Sequence, residues 1–273
     1  MNPIQIFLSL GERPGAKPSN LLKAMPKCKH NRCYGLAAWL LVALFMLPAF
    51  GMHLFSAEGH IACFVYHRFG DTRYPSTNIS VSEFRGQLTY LKQNNFTVWS
   101  MGKAVKAIMN EEYIPSKTVV LTIDDGYHSF YENGLPLLEE FGYPATLFIN
   151  TANVGHRDYL SWEEIKDADE RGMEIGNHSH EHIHFLNYEN PEVRKAQFFT
   201  DLNMSQTIFF DNLGYSPDLY SYPYGEYDDV MKEVLAMAGF IAASAQFSGI
   251  LHPKSKLFEI PRFPMGGPFA TLK

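Results

Sequence analysis

Two adjacent carboxylates, Asp124 and Asp125, stand directly after the apolar, β-branched run 118–123, and Gly126 follows them. Asp and Gly are common turn residues, so an isolated Asp-Asp-Gly is in most proteins a surface turn. At a strand end, however, two carboxylates can divide the work of a hydrolase. One binds a metal ion and the other takes a proton from water. In that interpretation Asp125 is the ligand, Asp124 is the general base, and Gly126 lets the backbone turn sharply beside the substrate.

Four histidines follow the predicted strand 173–176 within seven residues: His178, His180, His182 and His184. Histidines spaced four apart lie on one side of a helix or turn and can share a metal ion. Two such pairs exist, so the residues alone leave two ligand frames: His178 with His182, or His180 with His184. Asp125 would complete a set of two histidines and one carboxylate, which suits zinc with a position left open for water.

Two further predicted strand ends carry groups that can take part in catalysis. In the stretch LYSYPYG, Pro223 fixes a turn, and the backbone N–H of Tyr224 can then stabilise a developing oxyanion. On its own such a stretch is usually just a turn. His67 ends the first predicted strand, in CFVYHRFGD. An isolated histidine is more often structural, but at the same edge of the sheet it is a candidate acid for a leaving amine.

After residue 60, short apolar runs alternate with segments of helical periodicity. The predicted strands are 62–66, 97–100, 118–123, 145–149, 173–176, 219–222 and 241–245. Ser161 with Glu164 forms a capping-box pattern, and Asn190 and Gly214 bound a long predicted helix. Seven strands that alternate with helices predict an α/β fold with a parallel sheet, open or closed into a barrel. The C-terminal ends of its strands would gather the reactive groups at one face.

The first 57 residues differ from the rest of the 273-residue chain in their charge. They hold six of the 23 basic side chains but only one of the 29 acidic ones. Residues 33–55 are uncharged and apolar, and basic residues precede them, which is the pattern of a secretory signal or signal anchor. We therefore expect residues 1–57 to form a cytoplasmic tail with a signal peptide or membrane anchor, and residues 58–273 to form an exported catalytic domain.

The composition argues against some kinds of binding partner and against sites built from cysteines. The chain is 46% hydrophobic, which suits a globular domain with a sizeable core. The acidic part after residue 57 argues against nucleic acid as a partner, because binding phosphates needs a basic face. Cys63 is the one cysteine after the apolar run, so no disulfide within the exported part and no cysteine metal cluster is expected.

The two motifs, taken together and in this order, resemble the polysaccharide deacetylase family, the NodB-homology domains of carbohydrate esterase family 4. TIDDG (residues 122–126) matches the family's Thr-Phe-Asp-Asp-Gly motif, and HSHEH (residues 178–182) matches its His-Ser/Thr-x-x-His motif. The resemblance covers about residues 61–265. It implies a distorted (β/α) barrel of about seven parallel strands with Asp124 as the base. The resemblance also selects Asp125, His178 and His182 as the ligands of one divalent metal ion. Zinc is the expected metal, and nickel and cobalt are the alternatives.

The chain departs from the common family pattern at two places. In both it resembles one branch of the family, the deacetylases of poly-β-1,6-N-acetylglucosamine in biofilm matrices. Ser221 stands where the family's third motif often has an arginine. No late Leu-x-His motif supplies the acid, and His252 is a poor match for it. In that branch the order of motifs is permuted and a Tyr-His near the N-terminus carries the acid, an arrangement that Tyr66 and His67 resemble. Arg262 in EIPRFP is then the candidate for orienting the base.

The sequence therefore predicts an exported, metal-dependent hydrolase that removes N-acetyl groups from a polysaccharide containing N-acetylglucosamine. Its membrane contact would be the N-terminal segment, if that segment is not cleaved. Peptidoglycan, chitin oligosaccharide or a small acetylated sugar are alternative substrates. A glycan-binding pseudoenzyme held at the membrane is an alternative of another class, which the complete set of metal and base residues disfavours.

Overall fold

Short parallel strands alternate with helices along residues 59–269, the part of the chain that the computed structural model describes. The strands are β1 (Ile61–Tyr66), β2 (Arg68–Phe69), β3 (Asn78–Ile79), β4 (Thr97–Trp99), β5 (Thr118–Ile123), β6 (Thr146–Ile149), β7 (Glu174–Asn177), β8 (Leu219–Ser221), β9 (Ala242–Ser244) and β10 (Phe263–Pro264). The helices are α1 (Val81–Gln93), α2 (Met101–Met109), α3 (Leu135–Phe141), α4 (Trp162–Glu170), α5 (Pro191–Leu213) and α6 (Asp229–Met237).

Eight of these strands form one parallel sheet in the order β10-β1-β5-β6-β7-β8-β9, with β4 paired to the beginning of β5. β2 and β3 form a separate two-stranded pair. Near the C-terminus the segment 260–264 contacts both ends of the large sheet. Ile260 bridges to Ser244 in β9, while Phe263 and Pro264 pair with β1. The result is a curved, barrel-like sheet, and the segment that links its two ends includes Arg262.

The central strand β5 is buried at every position and shows how the two faces of the sheet are used. Alternate side chains of a strand point to opposite faces. Val119 and Leu121 pack with residues of α1, α3 and α4 in the outer core. Val120 packs instead with residues of β1, β6 and α2 in the inner core. A strand covered on both faces reads as a continuous apolar run, which is why this one could be predicted without error.

The helices begin and end where their caps require. The Ser161 hydroxyl accepts a hydrogen bond from the N–H of Glu164, and the Glu164 carboxylate accepts one from the N–H of Ser161. Asn190 caps the start of α5, and Gly214 ends it in a left-handed conformation. These signals are local, since the side chain and its partner lie within a few residues, and the predicted helix boundaries are confirmed there.

All seven predicted strands are present, with ends that differ from the prediction by no more than one residue. The prediction missed three strands of two residues each, which are too short to show a local pattern: β2 and β3, which pair with each other, and β10, which pairs with the distant β1. The predicted signal or anchor within residues 1–57 lies outside the described residues. Within the described part of the chain, no helix combines the length and hydropathy that crossing a membrane requires.

Candidate active site

The candidate site lies at the C-terminal edge of the sheet, where the inner-face positions of several strands end. Alternation along each strand brings four side chains to this layer: His67 after β1, Asp124 after β5, His178 after β7 and Ser221 in β8. Because the strands are parallel, their ends meet at one edge although the residues are far apart in the chain. The sheet thus brings together groups that the sequence shows only as separate strand ends.

Three side chains present their ligand atoms to one point. The distance between Asp125 Oδ1 and His178 Nε2 is 3.3 Å, and that between Asp125 Oδ1 and His182 Nε2 is 3.2 Å. The two Nε2 atoms are 3.1 Å apart. His180 is turned away, and its Nδ1 lies 2.8 Å from the hydroxyl of Thr151. Of the two frames left open by the spacing, the structure gathers His178 and His182 around Asp125.

The donor set fits a divalent metal ion. Ligand atoms about 2.0–2.2 Å from a tetrahedral zinc ion lie about 3.3–3.5 Å from one another, close to the distances found here. His178 Nδ1 lies 2.7 Å from the carbonyl oxygen of Ser221. A carbonyl oxygen can only accept a hydrogen bond, so Nδ1 must be the donor. That ring nitrogen therefore carries the proton, and Nε2 keeps its lone pair for a cation. Asp125, His178 and His182 are the residues that would hold the ion.

Asp124 sits beside this cluster but has a different partner. Arg262 donates two hydrogen bonds to its carboxylate, Nη1 to Oδ1 and Nη2 to Oδ2, each 2.7 Å long. The Ser221 hydroxyl donates to Oδ2 at 3.1 Å. Arg262 is itself fixed by the hydroxyls of Thr122 and Ser221 and by the carbonyl oxygen of Ala245. The base candidate is therefore held in one orientation by a buried, bidentate ion pair.

The environment keeps both carboxylates ionised. Burial raises the pKa of Asp124, but Arg262 outweighs it and holds that pKa below its usual range. For Asp125 burial also raises the pKa, and hydrogen bonds with His178 and His182 bring it well below the usual range. Burial lowers the pKa of His178, but the charge of Asp124 and the hydrogen bond to Asp125 raise it overall. The cluster thus favours positive charge at the place where the three ligand atoms meet.

His67, the candidate acid, lies at the same edge and is partly buried. Burial lowers the pKa of His67 below its usual value overall, although the charges of Asp125 and Asp124 raise it in part. His67 directly follows β1 at the edge where Asp124 follows β5, and it interacts electrostatically with Asp124 and Asp125, whereas His252 is exposed. The structure brings the residue chosen by the permuted pattern to the site.

The turn after β8 forms one wall of the site. Pro223 is buried, and Tyr224 has a left-handed backbone conformation with φ 59°. Its ring packs against His182 with centroids 4.6 Å apart and stacks on His184 at 3.6 Å. The Tyr224 hydroxyl donates a hydrogen bond to the carbonyl oxygen of His182. Pro223 and Tyr224 therefore lie next to the metal-ligand candidates, as the position after a strand predicts.

Four non-glycine residues of the site have positive φ angles: Asp125, Ser179, His182 and Tyr224. Such conformations are uncommon for residues with a Cβ atom and persist only where the surroundings hold them. Of the two conformations expected for residues 178–182, the helix is absent; the chain instead bends through left-handed residues, and this bend brings His178 and His182 to one side. Sequence reasoning also missed Thr122 and Ser221 as partners of Arg262, since hydroxyl residues in strands carry no distinctive signal.

Comparison with known proteins points to one family. The polysaccharide deacetylase family profile matches residues 112–243. A poly-β-1,6-N-acetyl-D-glucosamine N-deacetylase of Staphylococcus aureus is 27% identical over 209 residues, which cover 73% of this chain and 71% of that protein. The polysaccharide deacetylase YxkH of Bacillus subtilis is 25% identical over 166 residues. These residues cover 60% of this chain and only 57% of the length of that relative.

Solved structures give the same answer for the fold. IcaB from Ammonifex degensii has a TM-score of 0.66 at 25% identity, covering 75% of this chain and 91% of that one. Streptococcus pyogenes deacetylase PplD has a TM-score of 0.69 at 22% identity, covering 77% and 94%. The chain therefore carries a polysaccharide deacetylase domain of the NodB-homology, carbohydrate esterase family 4 type. Its relatives include poly-β-1,6-N-acetylglucosamine deacetylases, so the resemblance inferred from the two motifs is confirmed.

Proposed function

We propose that this protein is a metal-dependent N-deacetylase that hydrolyses acetamido groups of a polymer of N-acetylglucosamine. The observation that carries the proposal is the triangle of Asp125 Oδ1, His178 Nε2 and His182 Nε2, with a second ionised carboxylate next to it. His178 Nε2 is 4.0 Å from Asp124 Oδ2, so a reactant near the cluster is within reach of both carboxylates. The 27% identity to the staphylococcal poly-β-1,6-N-acetyl-D-glucosamine N-deacetylase favours that polymer.

A divalent cation held by these three ligands supplies Lewis-acid chemistry, since it polarises a carbonyl and makes water more acidic. Asp124 is the general base: it takes one proton from water as the water oxygen bonds to the acetyl carbon. Its Oδ1 accepts a single hydrogen bond among the described residues, from Arg262, and a carboxylate oxygen has two lone pairs. One lone pair of Oδ1 therefore remains for the water proton.

The charge that develops on the acetyl oxygen needs a donor, and we assign that role to the backbone N–H of Tyr224, with Pro223 fixing the turn. His67 then gives a proton to the amide nitrogen while the bond between carbon and nitrogen breaks. Acetic acid and a free amine result, and exchange with solvent returns a proton to His67 and removes one from Asp124. Arg262 is a positioning residue, because it acts on the substrate only through Asp124.

We further propose that residues 58–273 form the catalytic domain and act outside the cytoplasm. The support is the charge asymmetry of the sequence and the apolar run 33–55, which resembles a signal peptide or anchor. In this arrangement the acidic domain would meet an extracellular or periplasmic polymer rather than a soluble metabolite.

The test is release of acetate by the purified full chain with added zinc from four substrates at equal acetyl concentration. These are poly-β-1,6-N-acetylglucosamine, peptidoglycan, chitin oligosaccharide and monomeric N-acetylglucosamine. We expect the β-1,6-linked polymer to give the highest kcat/KM. A clear preference for peptidoglycan or chitin oligosaccharide would change the proposed substrate but leave the proposed deacetylation mechanism unchanged. No acetate from any of them, with zinc bound, would favour a glycan-binding pseudoenzyme.

A further inference from the structure

The loop that carries His182 is held by side-chain oxygens rather than by regular secondary structure. Four consecutive backbone N–H groups, those of residues 179–182, each donate to such an oxygen. Asn177 Oδ1 accepts from Ser179 at 2.7 Å, and the Ser179 hydroxyl accepts from His182 at 2.9 Å. The two N–H groups between them, of His180 and Glu181, both donate to one carboxylate on α5.

That carboxylate belongs to Asp201, which is only 8% exposed. Its Oδ1 accepts from the N–H of His180 and its Oδ2 from the N–H of Glu181, both at 2.8 Å. The same helix reaches the end of β7, because Ser205 accepts a hydrogen bond from the Asn177 side chain at 2.8 Å. One face of α5 therefore contacts the chain twice here: Ser205 binds the residue just before His178, and Asp201 binds the two residues midway between His178 and His182.

The bracing matters because the loop is strained. Ser179 and His182 have φ angles of 71° and 53°, in the left-handed region that residues with a Cβ atom adopt rarely. Without external contacts the segment would relax, and the Nε2 atom of His182 would leave its place 3.1 Å from that of His178. The Asp201 carboxylate fixes the two residues that lie between these strained positions.

We propose that Asp201 is a positioning residue for the metal site: it holds the 179–182 loop so that His182 completes the ligand set. This inference rests on the proposed metal-dependent function, since it concerns the affinity of the same three ligands. Residues outside the ligand set that fix a metal-binding histidine typically contribute 10–100-fold in metal affinity. Asp201 differs from such common partners because it acts on the backbone of the loop and not on an imidazole ring.

The experiment compares zinc affinity of the full chain and of two variants, Asp201→Asn and Asp211→Asn. Asn keeps the size of Asp but replaces one acceptor oxygen by an N–H₂ donor, so one loop N–H loses its partner. Asp211 is exposed on the same helix and serves as the matched control. Zinc dissociation constants are measured by competition with a chromophoric chelator, and melting temperatures are measured with and without zinc.

We expect Asp201→Asn to weaken zinc binding by about 10–100-fold and to reduce the zinc-induced rise in melting temperature, with Asp211→Asn within about twofold of the wild type. Zinc affinity equal to the wild type in folded Asp201→Asn, even at a lower melting temperature, would overturn the inference. If Asp201→Asn does not fold, Asp201→Ser is judged by the same criterion. Failure of both to fold would make Asp201 a residue of the fold and overturn the inference as well. Wild-type protein that binds no zinc would instead refute the proposed metal site itself.

Discussion

The two neighbouring aspartates in this site, Asp124 and Asp125, differ in the groups that contact their carboxylate oxygens. Asp125 Oδ1 faces two imidazole nitrogens, whereas both oxygens of Asp124 face the guanidinium of Arg262. A carboxylate among imidazoles is suited to share a cation, while one fixed by arginine and still ionised is suited to accept a proton. Identical side chains at adjacent positions can therefore have different tasks.

The choice of ligand frame gives a prediction for two histidines. His182→Ala removes a ligand and should weaken zinc binding by more than the roughly 10–100-fold typical of losing an outer partner, with loss of acetate release. His180→Ala removes a hydrogen bond to Thr151 and should leave one zinc ion per chain. Metal analysis after dialysis distinguishes the two. An empty site in His180→Ala together with a filled one in His182→Ala would show that the frame is the other one.

The ion pair of Asp124 with Arg262 gives a prediction for pH dependence. In the wild type, Arg262 holds the pKa of Asp124 below its usual range, so the base is ionised throughout the neutral region. In Arg262→Gln the buried carboxylate loses its cation, burial raises its pKa, and the acidic limb of the pH profile of kcat/KM should move to higher pH.

Arg262→Lys is the conservative comparison for that experiment, since it keeps the charge but not the paired hydrogen bonds. Its acidic limb should lie between those of the wild type and of Arg262→Gln, measured at saturating zinc. Profiles that coincide for all three proteins would mean that Arg262 does not control the protonation of Asp124.

At the scale of secondary-structure elements, the strands could be predicted and the geometry between them could not. Patterns of apolar residues and caps are local, so β5 and the bounds of α5 follow from the sequence. The pairing of Phe263 with β1 depends on contacts about 200 residues away and has no local signal. Arg262 reaches Asp124 only because that pairing exists, which is why its role could be inferred from resemblance but not from spacing.

The bends of the site loops could not be predicted from the sequence either, because residues other than glycine adopt the left-handed conformations there. Ser179, His182 and Tyr224 have positive φ angles without being glycine. The tertiary contacts that hold them, such as Asp201 with the 179–182 loop, come from elements distant in sequence. The motif indicated which residues meet at the site, and the packing of α5 and β8 determines how.

The turn after β8 can be tested through its glycine. Gly225 has φ 71°, and a Cβ atom there would lie 2.5 Å from Gln246 Cβ and 2.6 Å from its backbone nitrogen. Gly214 at the end of α5 has φ 79° with open space around it, and is the matched control. Gly214→Ala should cost about 1–2 kcal/mol of unfolding free energy, the usual penalty of a left-handed residue, with normal kcat.

Gly225→Ala should cost more than Gly214→Ala in denaturant unfolding, because the backbone must also move away from Gln246. That movement shifts Tyr224, so kcat should fall while zinc content stays at one per chain. If the two variants lose equal stability and both keep full kcat, the turn is not part of the catalytic geometry.

For the whole molecule, the uneven charge predicts where the domain works. Basic residues precede the apolar run and acidic ones dominate after it, so the chain after residue 57 should lie outside the cytoplasm. A reporter that is active only outside the cytoplasm, fused after Lys273, should be active. The same reporter on a chain that lacks residues 1–57 should be silent. Activity of a reporter that works only inside the cytoplasm, on the full chain, would contradict the proposed export.

The central claim is that Asp124 and Asp125 divide proton transfer from metal binding. It is tested most directly by measuring zinc content and acetate release together in Asp124→Asn, Asp125→Asn and His67→Ala. We predict that Asp124→Asn keeps its zinc and slows by roughly 10²–10⁴-fold, the usual contribution of a positioned base. His67→Ala should behave in the same way, and Asp125→Asn should lose zinc first, because a neutral amide is a poorer ligand. Loss of zinc from Asp124→Asn, with zinc and rate retained in Asp125→Asn, would show that the two roles are reversed.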